Sequence, residues 1–259
     1  MTLTEALILF LRWFTLAGMI FTCARLWHFG LHRRYRVFFA YLVFSSVRSG
    51  ILLIFDVSSS FYFKFWIVTE PVLWLFYILL VLELYSLVLE AHKGLYTVGR
   101  WALWGALSVA MASALVSLLP QSGTPYGPSW LVGFYVLVER GLLFSLVIFL
   151  ILMLWFLSHY PVVLRRNVVI HSVVYAIFFL SSSVTFLAHS FLGYEVARPL
   201  NALFTAIMAI CVVGWMTLLD GAGEVEKRSL KRAWNTAEDR RLIEQLDSLN
   251  ATLLRIARK

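Results

Sequence analysis

Long apolar runs alternate with short polar gaps along this chain, and the spacing is that of helices crossing a membrane. The clearest run, Trp130 to Leu157, reads WLVGFYVLVERGLLFSLVIFLILMLWFL, and its only charges are the adjacent Glu139 and Arg140. A helix rises about 1.5 Å per residue, so a run of this length crosses hydrocarbon about 30 Å thick. Six more runs have the same character: about Thr4 to Trp27, Val37 to Val57, Tyr62 to Glu90, Trp101 to Leu119, Val168 to Phe191 and Pro199 to Leu219. The pattern predicts an all-α membrane protein: a seven-transmembrane helix bundle over residues 1–219, with a cytoplasmic basic segment and amphipathic helix over residues 220–259. Pro71 predicts a kink in the third helix, because proline lacks a backbone donor and crowds the preceding turn. The uncharged segment PQSGTPYGPS, Pro120 to Ser129, predicts a turn-rich loop.

Composition agrees with the pattern. Hydrophobic residues make up 61% of the 259 and charged residues 14%, against about a quarter charged in soluble domains. Mean hydropathy is +0.83. The formal charge of +8 is no nucleic-acid footprint, because the Lys and Arg residues sit in the gaps between apolar runs and in the tail. Their distribution instead predicts orientation. Arg25, Arg33, Arg34, Arg36, Lys93, Arg100, Arg165 and Arg166 occupy one set of alternating loops, and only Lys64 and Arg198 the other. Positive residues stay in the cytoplasm, so the amino end is expected outside the plasma (inner) membrane and the carboxyl end inside. The first run lacks a basic leading segment, starts with Glu5 and carries its basic cluster after it, which reads as an uncleaved helix, not a secretory leader. Cys23 and Cys211 both fall inside predicted spans and read as small packing residues.

Charges inside spans are costly and therefore informative. Counted from the outer end of their helices, Arg12, Arg48, Glu70, Glu139 and Arg140 all lie roughly 12 to 15 Å deep. They come from the first, second, third and fifth spans, and together they form the candidate ligand-binding layer. If the two acids pair with two of the arginines, one guanidinium is left over, and its planar fork suits a carboxylate or phosphate. Ser45, Ser46, Ser49, Thr69, Tyr135 and Asn201 are placed to line the same cavity. The competing reading is that these charges only fix helix packing. Glu83 lies nearer the cytoplasmic side and is expected beside His171 or a tyrosine.

Several chemistries fail on inventory. A retinal Schiff base needs a lysine in the last span, which has none. Haem ligation is excluded because His171 and His189 stand on one helix about 27 Å apart. Thr185 and His189 resemble the Ser-x-x-x-His element of seven-span zinc hydrolases of the adiponectin-receptor and ceramidase type. The chain's HxxxH, His28 to His32, falls in the loop after the first span, and no correctly placed aspartate accompanies Thr185 and His189 to complete a metal site. The chain is therefore expected to be no enzyme and to carry no metal or cofactor.

In layout the chain resembles sugar transporters of the SWEET type, which implies a 3+1+3 arrangement of two repeats and a joining helix. The resemblance is carried by a repeated Ser-Ser-Val, Ser45 to Val47 and Ser182 to Val184, and by Pro71 and Pro199 in the third and seventh spans. The fourth span, with Ala106, Ala110 and Ala114, would be the joining helix.

In the tail, Leu242, Leu246, Leu249, Leu253 and Ile256 step by 4, 3, 4 and 3, the seam of a short coiled coil. This predicts a helix from Ala237 to about Ala257 that docks a cytoplasmic protein or a second copy. The expectation is a receptor-like or sensor protein that binds a small anionic or zwitterionic ligand in an outward-facing charged pocket. Its rivals are a small-solute transporter and a structural accessory subunit of a membrane complex.

Overall fold

The computed structural model describes residues 3–56, 59–89, 130–159, 163–192, 194–225 and 227–229. Between and beyond these it describes residues 101, 104, 105, 108, 241, 244, 245, 247, 248 and 250–252. The described chain is nearly all helical. Its helices are α1 (Leu3–His28), α2 (Arg36–Ile54), α3 (Ser60–Val88), α4 (Trp130–His159), α5 (Arg166–Leu192) and α6 (Tyr194–Leu218). Two single 3-10 turns, Leu31–Arg33 and Ala222–Glu224, and two three-residue strands, β1 (Val163–Arg165) and β2 (Lys227–Ser229), complete it. The strands pair antiparallel, with Leu164 opposite Arg228.

Four helical stretches are long and apolar enough to cross a membrane: Ala6–His28, Arg36–Ile54, Ser60–Val88 and Arg166–Thr185. Shorter apolar stretches, Gly141–Trp155 and Ala202–Leu218, lie in α4 and α6. The outer surface matches this assignment. Phe10, Trp27, Ile54, Val68, Trp155, Leu180 and Ile210 are all exposed, so every helix presents bulky apolar side chains outward. Apolar residues on both the inner and outer faces of a helix are what a hydrocarbon surround permits.

The helices close a ring in which each packs on its chain neighbours, α6 packs back on α1, and α3 also touches α5 across the ring. The centre is aromatic. Phe38 lies 5.1 Å from the ring of Trp215 and 4.6 Å from that of His171, and Tyr77 lies 5.4 Å from Phe179. Contacts also fix direction. Tyr135, early in α4, meets Trp66 and Ile67, early in α3, and Phe149 meets Tyr85 further along both helices. The two helices therefore run parallel. So do α1 and α6, since Gly18 lies against Val212 and Arg25 donates to the Met216 carbonyl.

The α1–α2 turn, the end of α3, the β strands and the segment after α6 all share one end of the bundle, which carries Arg33, Arg34, Arg36, Arg165 and Arg166 and is called the basic end below. The chain reverses there through Gly30, whose φ of 68° is left-handed. Observed helix limits follow the expected ones closely except at α6. That helix begins at Tyr194, so Pro199 lies in its second turn instead of at its start. The expected fourth span, the loop Pro120 to Ser129 and the seam Leu242, Leu246, Leu249, Leu253 and Ile256 lie outside the described residues. Trp101, Trp104, Gly105 and Ser108 are helical, as are the described tail residues from Arg241 to Thr252.

Candidate functional site

Polar side chains gather at two levels of the bundle. The first lies between α2, α3 and α4, away from the basic end. Pro71 creates it in part: without an N–H, it leaves the Ile67 carbonyl four residues earlier with no helical donor. The Tyr135 hydroxyl, from α4, donates to that carbonyl at 3.2 Å. This bond draws α4 against α3 beside Glu70. Arg48, from α2, pairs with the Glu70 carboxylate and donates through Nε to Thr69 Oγ1 at 2.9 Å. Thr69 passes its own proton to the Phe65 carbonyl at 2.7 Å. The Arg48 side chain is 14% exposed and that of Glu70 6%, so the pair is largely dry. Glu139, partly buried on α4, lies in the fields of both Glu70 and Arg48, and Tyr77 lies in the fields of all three.

Of the five expected site residues, Arg48 and Glu70 pair directly, and Glu139 lies within electrostatic range of both. Arg12 does not join them. It is exposed, because α1 buries no described side chain before Thr15 and its first half stands clear of its neighbours. Snorkelling of the long side chain toward the nearer water surface suits that position. Arg140 lies on α4, but its side chain falls outside the described residues, as does that of Asn201. With the Arg140 side chain outside the described residues, the expected surplus of guanidinium is neither met nor overturned; among the described side chains Arg48 pairs with Glu70. Ser45 is buried nearby, and Ser46 donates to its own helix at Leu42.

The second level is the basic end. The four amide donors that open a helix have no partner within it. At α2, Glu83 supplies one from α3: its oxygens accept from Val37 N at 2.8 Å and Phe38 N at 3.0 Å. Glu83 lines one small cavity with His171, Tyr35 and Tyr175, beside which it is expected, and the bonds its oxygens make are to the α2 amides. The positive end of the α2 dipole adds to the attraction.

Glu224, just past α6, collects a larger set. Its carboxylate accepts from Tyr35 Oη at 2.5 Å, from Asn167 Nδ2 at 3.0 Å and from Arg165 Nη1 at 3.1 Å, with Arg34 Nε at 3.1 Å. The donors come from the α1–α2 turn, β1 and the first turn of α5. Burial, then the bond to Glu224 and its charge, push the Tyr35 phenol well above its ordinary range, so it remains a donor. Asp220 fixes the turn itself, accepting from Gly223 N at 2.6 Å and facing Arg166 at 3.5 Å. A Cβ at Gly223 would stand 2.1 Å from Asn167 Oδ1, so only glycine lets the turn approach α5. Sequence reasoning missed this latch because it used the basic loops only to assign sides. The signal was Glu224 itself, an acid at the end of the last span opposite several loop arginines.

Among the described residues no three His, Cys, Asp or Glu side chains stand close enough to hold a metal ion. A groove of about 800 Å³ runs along α2 and α3 at the basic end, lined by Arg36, Leu82, Glu83, Ser86, Trp101 and Trp104. Fold and site together define a membrane-embedded helical protein with opposite charges buried between three helices. No protein-family model, curated protein or solved structure matches this chain.

Proposed function

We propose that this chain is a receptor-like or sensor protein of the plasma (inner) membrane, with seven spans, its amino end outside and its carboxyl end in the cytoplasm. Four helical stretches long and apolar enough to cross a membrane, with shorter apolar stretches in α4 and α6, support a multi-span reading. The arginines of the basic end support the sidedness.

Its ligand is a small zwitterion held at Arg48, Glu70 and Glu139. The observation that carries this reading is the meeting of one guanidinium and two carboxylates from α2, α3 and α4. A zwitterion brings a carboxylate to Arg48 and an ammonium to Glu139, so both signs find partners. A plain anion would gain Arg48 but meet Glu139, and it is disfavoured for that reason. Displacement of the Glu70 partner by ligand would loosen one of the ties between α2 and α3, and the Glu224 latch ties the far end of α2 to the tail. Binding at one level then biases the other.

The test is saturable binding of amino-acid-like zwitterions to the purified chain in lipid nanodiscs, together with flux measurements in sealed vesicles. Binding without flux, lost in Arg48→Ala and in Glu139→Gln, is the expected result. Uptake that Arg48→Ala abolishes would make the chain a transporter. Variants that change thermal stability alone would leave the charges a structural role.

A further inference from the structure

Between α2, α3 and α5, close to the aromatic centre, a small enclosed cavity of about 10 Å³ is lined by Tyr35, Phe38, Leu80, Glu83, Leu84, Leu87, His171 and Tyr175. Two of its lining residues stand out. His171 is 1% exposed and Tyr175 3%, yet neither ring nitrogen of His171 nor the Tyr175 hydroxyl has a hydrogen-bond partner among the described residues. Three polar atoms with no partner in a dry interior are expensive, since each forfeits its hydration for nothing in return. They are also neighbours. Tyr175 follows His171 by one helical turn, their rings stack at 5.7 Å, and the Tyr175 hydroxyl lies in the field of Glu83. Elsewhere on the wall the Tyr35 hydroxyl is bonded to Glu224, while Glu83 accepts one α2 amide at each oxygen and keeps further lone pairs.

We propose that this cavity is a hydration site that binds one water molecule between His171 and Tyr175. Its size admits about one water, and a buried water needs two to four polar partners, which the wall supplies. The imidazole offers one donor and one acceptor in its neutral form, and the phenol one of each. The water thus joins His171 and Tyr175 to the remaining lone pairs of Glu83, and through Tyr35, whose ring lies 4.6 Å from that of His171, abuts the Glu224 latch. The α2 cap, the α5 imidazole and the latch become one packed polar unit. Nothing in this depends on the zwitterion reading.

The deciding measurement is made on the unmodified full-length chain, labelled with nitrogen-15 in its histidine rings and held in nanodiscs. A bound water predicts a cross-peak from the His171 ring protons to water with the sign of a long-lived contact. It also predicts a neutral imidazole with one protonated nitrogen and one hydrogen-bonded acceptor nitrogen. The His171 resonances are assigned by their loss in His171→Gln. In Tyr175→Phe, which removes one partner and keeps the ring, the cross-peak should weaken or vanish. Resolved His171 resonances with no water cross-peak would overturn the proposal, and so would a cross-peak that Tyr175→Phe leaves unchanged.

Discussion

Two carboxylates in this molecule are held in opposite ways. Among the described residues, Glu70 sits deep between helices with one guanidinium partner, that of Arg48, while Glu224 stands at the basic end with donors from Arg34, Tyr35, Arg165 and Asn167. The difference follows from the surroundings. At the basic end, loops and water can surround a carboxylate from several directions, so its charge is spread over many bonds, none of them indispensable. Between spans there is only helix surface, and a charge finds what the facing side chain happens to offer. A sparsely partnered pair in the interior is therefore the one that a competing ligand could exchange for itself, whereas the many-partnered one is built to stay shut.

The sharpest way to break this comparison is to remove one member of the interior pair. Glu70→Ala leaves Arg48 buried without its carboxylate, and loss of one partner of a buried pair costs about 3 to 5 kcal/mol. Replacing both, as Arg48→Met with Glu70→Leu, should restore most of that loss, because two apolar residues need no partner. Unfolding in mixed detergent measures both. Should the double variant be no more stable than Glu70→Ala, Arg48 is coupled to further charge such as that of Glu139, whose field it shares.

At the latch the expected loss is smaller despite the larger number of bonds. Glu224→Ala removes bonds to a charged acceptor, worth about 1.5 to 3 kcal/mol in total once the exposure of Arg34 and Arg165 is allowed for. Its clearer effect is local. β2 holds to β1 just beyond this carboxylate, so trypsin should cut at Lys227 and Arg228 faster in the variant. Gly223→Ala should do the same, since its Cβ collides with Asn167. Unaltered cutting in both variants would show that the turn is held by something other than Glu224.

The same contrast explains how much could be read from sequence. Apolar runs marked the helices to within a few residues, because a span's length is set by the thickness it crosses and not by its neighbours. Counting depth also brought Arg48, Glu70 and Glu139 to one level. Depth says nothing of rotation or lateral packing, and that is where Arg12 went astray: it has the right height on a part of α1 that faces outward. The Glu83 cap and the Glu224 latch were illegible for a different reason. Each depends on which loop lies beside which, and residues 46 positions apart for Val37 and Glu83 or 189 for Tyr35 and Glu224 share no local pattern.

Gly18, packed against Val212 on the α1–α6 seam, sharpens the comparison further. A Cβ there would stand 2.6 Å from Val212 Cγ1, and a β-branched side chain in a helix has little freedom to give way. Gly18→Ala should therefore cost about 1 to 3 kcal/mol by overpacking, and Val212→Ala in the same chain should recover most of it. Because α6 leads directly to Asp220 and Glu224, a displaced α6 should also speed tryptic cutting at the latch. A destabilised variant with normal cutting would mean that the latch sets its own register, independent of the α1–α6 seam.

The smallest expected effect comes from Tyr135→Phe, and it probes how α4 is brought to the interior pair. The variant keeps the ring contacts with Trp66 and Trp74 and removes only the hydroxyl that serves the Ile67 carbonyl. A single neutral hydrogen bond is worth about 0.5 to 1.5 kcal/mol, so stability should fall by that much. If the bond positions Glu139, zwitterion affinity should fall more than stability does, because a small shift of α4 moves one of the three charges while leaving Arg48 and Glu70 paired. The Ile67 carbonyl can also be given a donor from its own helix: Pro71→Ala supplies the missing N–H, makes the tyrosine bond redundant, and should reduce the penalty of Tyr135→Phe. Equal penalties in the two backgrounds would mean that Tyr135 acts through its ring alone.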